Sequence, residues 1–269
     1  MLSMITEKIP SDWRELQNWT AQILRECGWT ADTEVTIELA RGKANIDVLA
    51  TEHIQGRNYL TLIECKHWSS PVPQTVAHSF RTIVADAGAN AGYIVSKAGF
   101  QSGAYEAVGH SNVKLLTWEE FQAAFEEQWY WSHFVKTVEQ VLDPLCSYLE
   151  PLPAMAAWDK YLDKEHVDRL VALYRENFQL GALIMAMHPV QGMFPGRRGR
   201  VILPLGDRTK EYGNLPEGLF ALTGYREFFD ALTNHALPLL DEFRSYRDMA
   251  LEKKKQAEPN AAHHQLEGD

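Results

Sequence analysis

Three charged side chains stand in stretches that otherwise have the composition of buried β-strands. Asp47 lies within the run 45–50. After sixteen intervening residues come Glu64 and Lys66, flanking Cys65 at the end of the run 59–66. A charge placed where a sheet normally carries apolar side chains requires an ionic partner, hydrogen bonds or a metal ion. The fold must therefore bring the two strands together at a place built to tolerate charge.

The flanking sequence supplies the frame. Ser11, after Pro10, is the expected N-cap of a helix with Trp13, Leu16, Ile23, Leu24 and Cys27 at helical spacing and Gly28 as its stop. Residues 33–40 and 45–50, separated by a turn at Arg41, Gly42 and Lys43, alternate with period two and predict an antiparallel hairpin. A third strand spans about 59–66. Val76, Phe80, Ile83 and Val84 predict a helix from Gln74 to about Ala87 and Gly88, followed by a short buried strand at 92–96. A helix over about 101–108, a strand at 113–117 and a helix from Trp118 complete the pattern. The order αβββαβαβ predicts an α/β sandwich core over residues 1–126. Strand signals then thin out. Trp131, Phe134, Val135, Val138 and Leu142, and later the run 166–174, keep helical spacing, so residues 127–256 are expected to form a mainly α-helical domain, interrupted by a Gly/Pro/Arg-rich stretch at 189–204. Its last amphipathic helix starts near Tyr225 and ends near Lys253, Lys254 and Lys255, with 257–269 as a tail.

The chain has 269 residues, 45% of them hydrophobic and 23% charged, enough for a large core and two domains. A formal net charge of −10 argues against a protein that coats nucleic acid by bulk electrostatics, while leaving room for a local binding groove. Cys27, Cys65 and Cys146 lack the paired spacing of zinc sites or disulfide frameworks and are expected to be buried thiols. The start of the chain does not read as a secretory signal and no long apolar run occurs, so a cytoplasmic protein without a membrane partner is expected.

Glu64 and Lys66 share one face of their strand, and Asp47 reaches that face if its strand pairs alongside, about 4.8 Å away. Two carboxylates forced together repel, and a divalent cation relieves the repulsion. Magnesium, or manganese in its place, suits Asp47, Glu64 and the backbone carbonyl of Cys65 as ligands, with further positions for water and a phosphate oxygen. Such a metal would acidify water and polarise phosphorus, and Lys66 would orient or deprotonate the attacking water and offset phosphate charge. The expected reaction is phosphodiester hydrolysis.

These residues, together with the run 13–24 and the block 92–107, resemble the PD-(D/E)XK nucleases, and within them the Mrr-like restriction endonucleases. The resemblance covers roughly the first 120 residues. It implies metal-dependent cleavage of DNA, often foreign or modified, with Asp47 and Glu64 as metal ligands and Lys66 as catalytic lysine. The same likeness implies a restriction or anti-phage role, and because cutting both strands usually requires two active sites, either a homodimer or a defence-system partner protein is expected. Ile46 stands where the eponymous proline would be. The glutamate that the family's first helix often carries is replaced by Gln17, with Glu15 two residues earlier. Gln17 can accept a hydrogen bond but brings no charge, which leaves one-metal and two-metal arrangements both open.

Other residues carry weaker signals. Gln74, His78 and Arg81 share one helical face, which suits either a wall of the site or a solvated surface. Ser96, Lys97 and Gln101 could hold a phosphate or form an ordinary turn. His67 could serve as a general base and Trp68 could stack on a nucleobase, or both could end the strand. Arg197, Arg198 and Arg200 form the densest basic cluster. Two competing functions stay open: a catalytically inactive nuclease-fold module that binds DNA or protein, and an RNase or structure-specific DNase.

Overall fold

A computed structural model of the chain describes residues 4–149, 158, 160–187, 200–206, 208, 211, 212 and 215–257. It divides into two compact units, Met4–Phe134 and the residues from Val135 onward.

The first unit is the expected α/β sandwich. Helix α1 (Trp13–Glu26) precedes β1 (Thr30–Leu39), β2 (Gly42–Ile54) and β3 (Arg57–Lys66), followed by α2 (Gln74–Asp86), β4 (Ala91–Ser96), α3 (Ser102–Val108), β5 (Val113–Thr117) and α4 (Trp118–His133). The five strands form one mixed sheet in sequence order. β1, β2 and β3 are antiparallel, while β3, β4 and β5 are parallel, with α2 and α3 as the crossovers. β3 is the strand common to both halves.

Local chemistry explains the ends of the elements. Asp12, not Ser11, caps α1: its Oδ1 accepts the Glu15 amide at 2.9 Å. Ser11 instead donates its amide and hydroxyl to the Glu15 carboxylate at 2.7 and 2.8 Å, so the two residues divide the work of closing the helix start. Trp13, expected on the buried face, is 44% exposed because it sits in the first turn, ahead of the buried residues Leu16, Ile23 and Leu24. The hairpin turn consists of Ala40 and Arg41, and Gly42 opens β2 with φ +98°, a left-handed conformation that suits glycine. Thr117 and Glu120 form a reciprocal capping box at the start of α4.

Two apolar layers cover the sheet. Leu62, Ile94, Val113 and Leu115 pack against Ala77, Phe80 and Val84 of α2 and Ala104 and Ala107 of α3. On the other face, aromatic contacts join Phe125 of α4 to Trp29 and to Tyr93 of β4. Helix α4 runs beyond residue 126, and its last turns stay with this unit: Trp129 is fully buried and donates to Glu26, and Gln128 donates to the Cys27 carbonyl at 3.3 Å. The first unit thus extends to Phe134, with a longer helix than the apolar spacing alone marked out.

The second unit is mainly helical in its described residues. A π-helical turn, Phe134–Val138, leads into α5 (Glu139–Leu149), followed by α6 (Lys164–Met187), α7 (Glu217–Ala221) and α8 (Tyr225–Ala257). Leu149 lies so close to Gly181 that a Cβ on the glycine would stand 2.9 Å from the Leu149 Cβ, which fixes a close crossing of α5 and α6. Tyr148 stacks on Phe243, and Arg169 of α6 bonds both oxygens of Glu242 on α8. Arg197, Arg198 and the tail beyond Ala257 lie outside the described residues, as does most of the Gly/Pro/Arg-rich stretch. All three cysteines are buried.

Gly92 of β4 lets α2 approach the sheet. A Cβ there would stand 2.6 Å from Val84 Cγ2 and 3.1 Å from Phe80 Cε1. Overpacking of this kind costs about 1–3 kcal/mol. Gly92→Ala is expected to lower the unfolding free energy by that amount, read in equilibrium urea denaturation as a lower midpoint at an unchanged slope.

Candidate active site

The ladder between β2 and β3 ends with the pair Val48 and Ile63. β3 continues for three more residues, held by β4 as far as Lys66 opposite Ser96. At this parting of strands, Asp47 Oδ2 accepts the backbone amide of Cys65 at 2.7 Å, so a side chain satisfies a donor where the β2–β3 ladder has ended. Glu64 and Lys66 are on the α2 face of β3, and the Lys66 ammonium bonds Glu64 Oε1. Their side chains are only 20% and 17% exposed. Cys65 faces the opposite layer, with its Sγ 3.9 Å from Thr20 Oγ1 of α1.

The electrostatics follow from this crowding. Burial, and then the nearby Asp47 charge, push the Glu64 carboxyl above the usual range, while its bond to Lys66 acts in the opposite sense. Burial and the same acids raise the Cys65 thiol strongly, so it remains protonated and is no thiolate ligand.

A cavity of about 380 Å³ opens beside this group, lined by Glu64, Lys66, Trp68, Thr75, Val76, Ser79, Phe80 and Ile83. Trp68 is 41% exposed, and the Lys66 ammonium lies 5.4 Å from its ring centroid. Thr75 and Ser79 are the residues that sequence reasoning missed. The apolar stripe of Val76, Phe80, Ile83 and Val84 fixed the side of α2 that meets the sheet, but either flank of the stripe could have edged the site. The structure puts Thr75 and Ser79 there. Gln74, His78 and Arg81 occupy the other flank: Gln74 bonds His78 at 3.1 Å and packs on Gly103 of α3, and Arg81 donates to the Ala107 carbonyl at 2.8 Å.

Gln17 is buried on α1, one turn before Thr20, and so lies on the layer that Cys65 faces. His67 is turned away from the cavity, its Nε2 3.0 Å from the Pro10 carbonyl. Ser96 Oγ donates to the Gly99 carbonyl, and the Lys97 amide donates to the Lys66 carbonyl at 3.0 Å, which ties the end of β3 to the following loop. Lys97 and His67 line a second, smaller cavity with Pro10, Leu16, Trp118 and Glu119. Arg200 belongs to the helical unit.

Among the described residues, no three His, Cys, Asp or Glu side chains gather closely enough to hold a metal by themselves. Oδ2 of Asp47 and Oε1 of Glu64 are engaged within the protein, and Oδ1 and Oε2 are the oxygens suited to a hard cation. That donor set fits magnesium or manganese, which fill their shells with water and substrate oxygens, better than zinc.

The first unit is thus a mixed five-stranded sheet with two acids and a lysine where β2 and β3 part. Residues 10–125 match the family model Mrr_cat, described as restriction endonuclease. No curated protein matches the chain. A crystal structure of a protein of unknown function, AF1548, aligns with 62% of this chain and 98% of its own at 20% identity and a TM-score of 0.37, a likeness too slight to carry an argument. No described helix is long and apolar enough to cross a membrane.

The raised Glu64 carboxyl predicts a pH effect. Folded Glu64 keeps its proton to higher pH than the unfolded chain does, so its contribution to stability is present at low pH and is lost as pH rises through the raised value. In metal-free buffer, the melting temperature of the wild type should fall relative to Glu64→Gln as pH rises above the ordinary carboxylate range. Parallel curves in thermal melts would contradict the assignment.

Proposed function

We propose that the chain is a metal-dependent endonuclease that hydrolyses phosphodiester bonds of DNA, with Asp47 and Glu64 holding magnesium or manganese and Lys66 as the catalytic lysine. The observation that carries this reading is the convergence of two carboxylates and an ammonium at the parting of β2 and β3, beside an open cavity. The family match over residues 10–125 supports it. The metal, when bound, would polarise the phosphoryl group and favour deprotonation of water.

The protein's own residues do the rest. The Asp47–Cys65 bond orients one carboxylate, and β3 fixes the other two residues apart on one face. Lys66, exchanging its bond to Glu64 for a bond to the scissile phosphate, offsets the charge that grows on the oxygens during attack. Thr75 and Ser79 are placed to donate hydroxyl bonds to flanking phosphates, and Trp68 offers an apolar ring at the cavity edge. A place in restriction or anti-phage defence is part of the proposal and rests on the family alone. A homodimer would supply the two sites needed to cut both strands.

Purified wild type, Asp47→Ala, Glu64→Ala and Lys66→Ala should be incubated with plasmid, modified phage DNA and RNA, with and without magnesium or manganese. Metal-dependent cleavage of DNA, reduced at least about 100-fold in each variant, is expected. Undiminished cutting by all three variants would overturn the site. Binding without cutting would favour an inactive module, and cutting of RNA alone would change the substrate class.

A further inference from the structure

We infer that Glu34, on the edge strand β1, is a positioning residue for Asp47. Glu34 has φ +55°, a left-handed conformation that an L-residue adopts at a cost and that is foreign to the middle of a strand. It lies directly across from Asp47. The β1–β2 ladder pairs Thr33 with Val48 and Val35 with Ile46, and the intervening pair, Glu34 with Asp47, is missing. The register is the same on both sides of the gap, so no residue has been inserted and no slip has occurred. The distortion is confined to one pair.

β2 changes face at the same point. Strand alternation keeps one face on residues of equal parity. Ala44 and Ile46 belong to the apolar layer under α2, but the next member from β2 is Leu49, three residues after Ile46. Val48, fully buried, is outside that layer. The strand therefore turns over between Ile46 and Leu49, with Asp47 at the turning point and the bent residue of β1 beside it. Freed from a regular pair with β1, Asp47 can send its carboxylate sideways to the Cys65 amide. Glu34 thus acts through its backbone: the bend sets the direction of the Asp47 side chain.

The geometric part stands on the hydrogen bond to Cys65, and the consequence for metal binding rests on the nuclease reading. Two measurements keep them apart. In Glu34→Val the β-branched side chain disfavours the left-handed conformation and should straighten β1, whereas Glu34→Gly accepts it. Hydrogen exchange of the Cys65 amide, with the Ile94 amide as a reference for global folding, should accelerate about tenfold in Glu34→Val and return to the wild-type rate in Glu34→Gly. Glu34→Ala serves in place of valine if that variant does not fold. The manganese concentration that gives half of the maximal rise in melting temperature should increase by a similar factor in the valine variant and not in the glycine one. An unchanged Cys65 exchange rate in both Glu34→Val and Glu34→Ala would overturn the inference, whatever the enzyme cleaves. Faster exchange with no manganese response in the wild type would leave the positioning role standing and remove the nuclease reading.

Discussion

One oxygen of Asp47 takes the amide hydrogen of Cys65 at the point where β2 and β3 part, and the arrangement around the site depends on that bond. An amide there without a partner would carry the penalty of an unsatisfied buried donor, about 1–3 kcal/mol. The carboxylate removes the penalty and in return is held beside Glu64. The pair is uncomfortable: burial, and then the Asp47 charge, push Glu64 toward its protonated form, and Lys66 only partly opposes them. On the proposed reading, a bound cation would relieve this repulsion.

The sheet explains why the junction is stiff enough to hold them. β3 pairs antiparallel with β2 and parallel with β4, and the Lys97 amide extends the β4 side past Lys66. Glu64 and Lys66 therefore remain on an ordered strand after β2 has departed. Gly92 brings α2 down onto the neighbouring strand, and the same helix presents Thr75 and Ser79 to the cavity.

Much of this was legible in the sequence. The αβββαβαβ order and the face shared by Glu64 and Lys66 follow from periodicity, and the unpaired spacing of the cysteines pointed to buried thiols. The likeness of Asp47 and the Glu64, Cys65, Lys66 triplet to Mrr-like endonucleases agrees with the family match over residues 10–125. Other features were not legible because tertiary contacts decide them. Ser11 and Asp12 are both good caps, and only the geometry of Glu15 chooses between them. The apolar stripe of α2 gives no preference between Gln74 and Thr75 as the edge of the site. The left-handed Glu34 leaves no mark in the sequence, since glutamate is an unremarkable residue on an exposed edge. In the helical unit, apolar spacing foretold helices, but the close crossing at Gly181 depends on which leucine meets it.

The two faces of β3 have a consequence for how the domain can misassemble. Glu64 and Lys66 point to the cavity, and Cys65 points into the layer beneath α1. A slip of the strand by a single residue would exchange them, driving an acid and a base into an apolar layer and leaving the thiol in the cavity. The alternative pairing is thus penalised by the very residues that would be misplaced. The charged group that burdens the native sheet also serves as its register mark, so a chain that settles into its lowest-energy sheet has assembled its site in the same step.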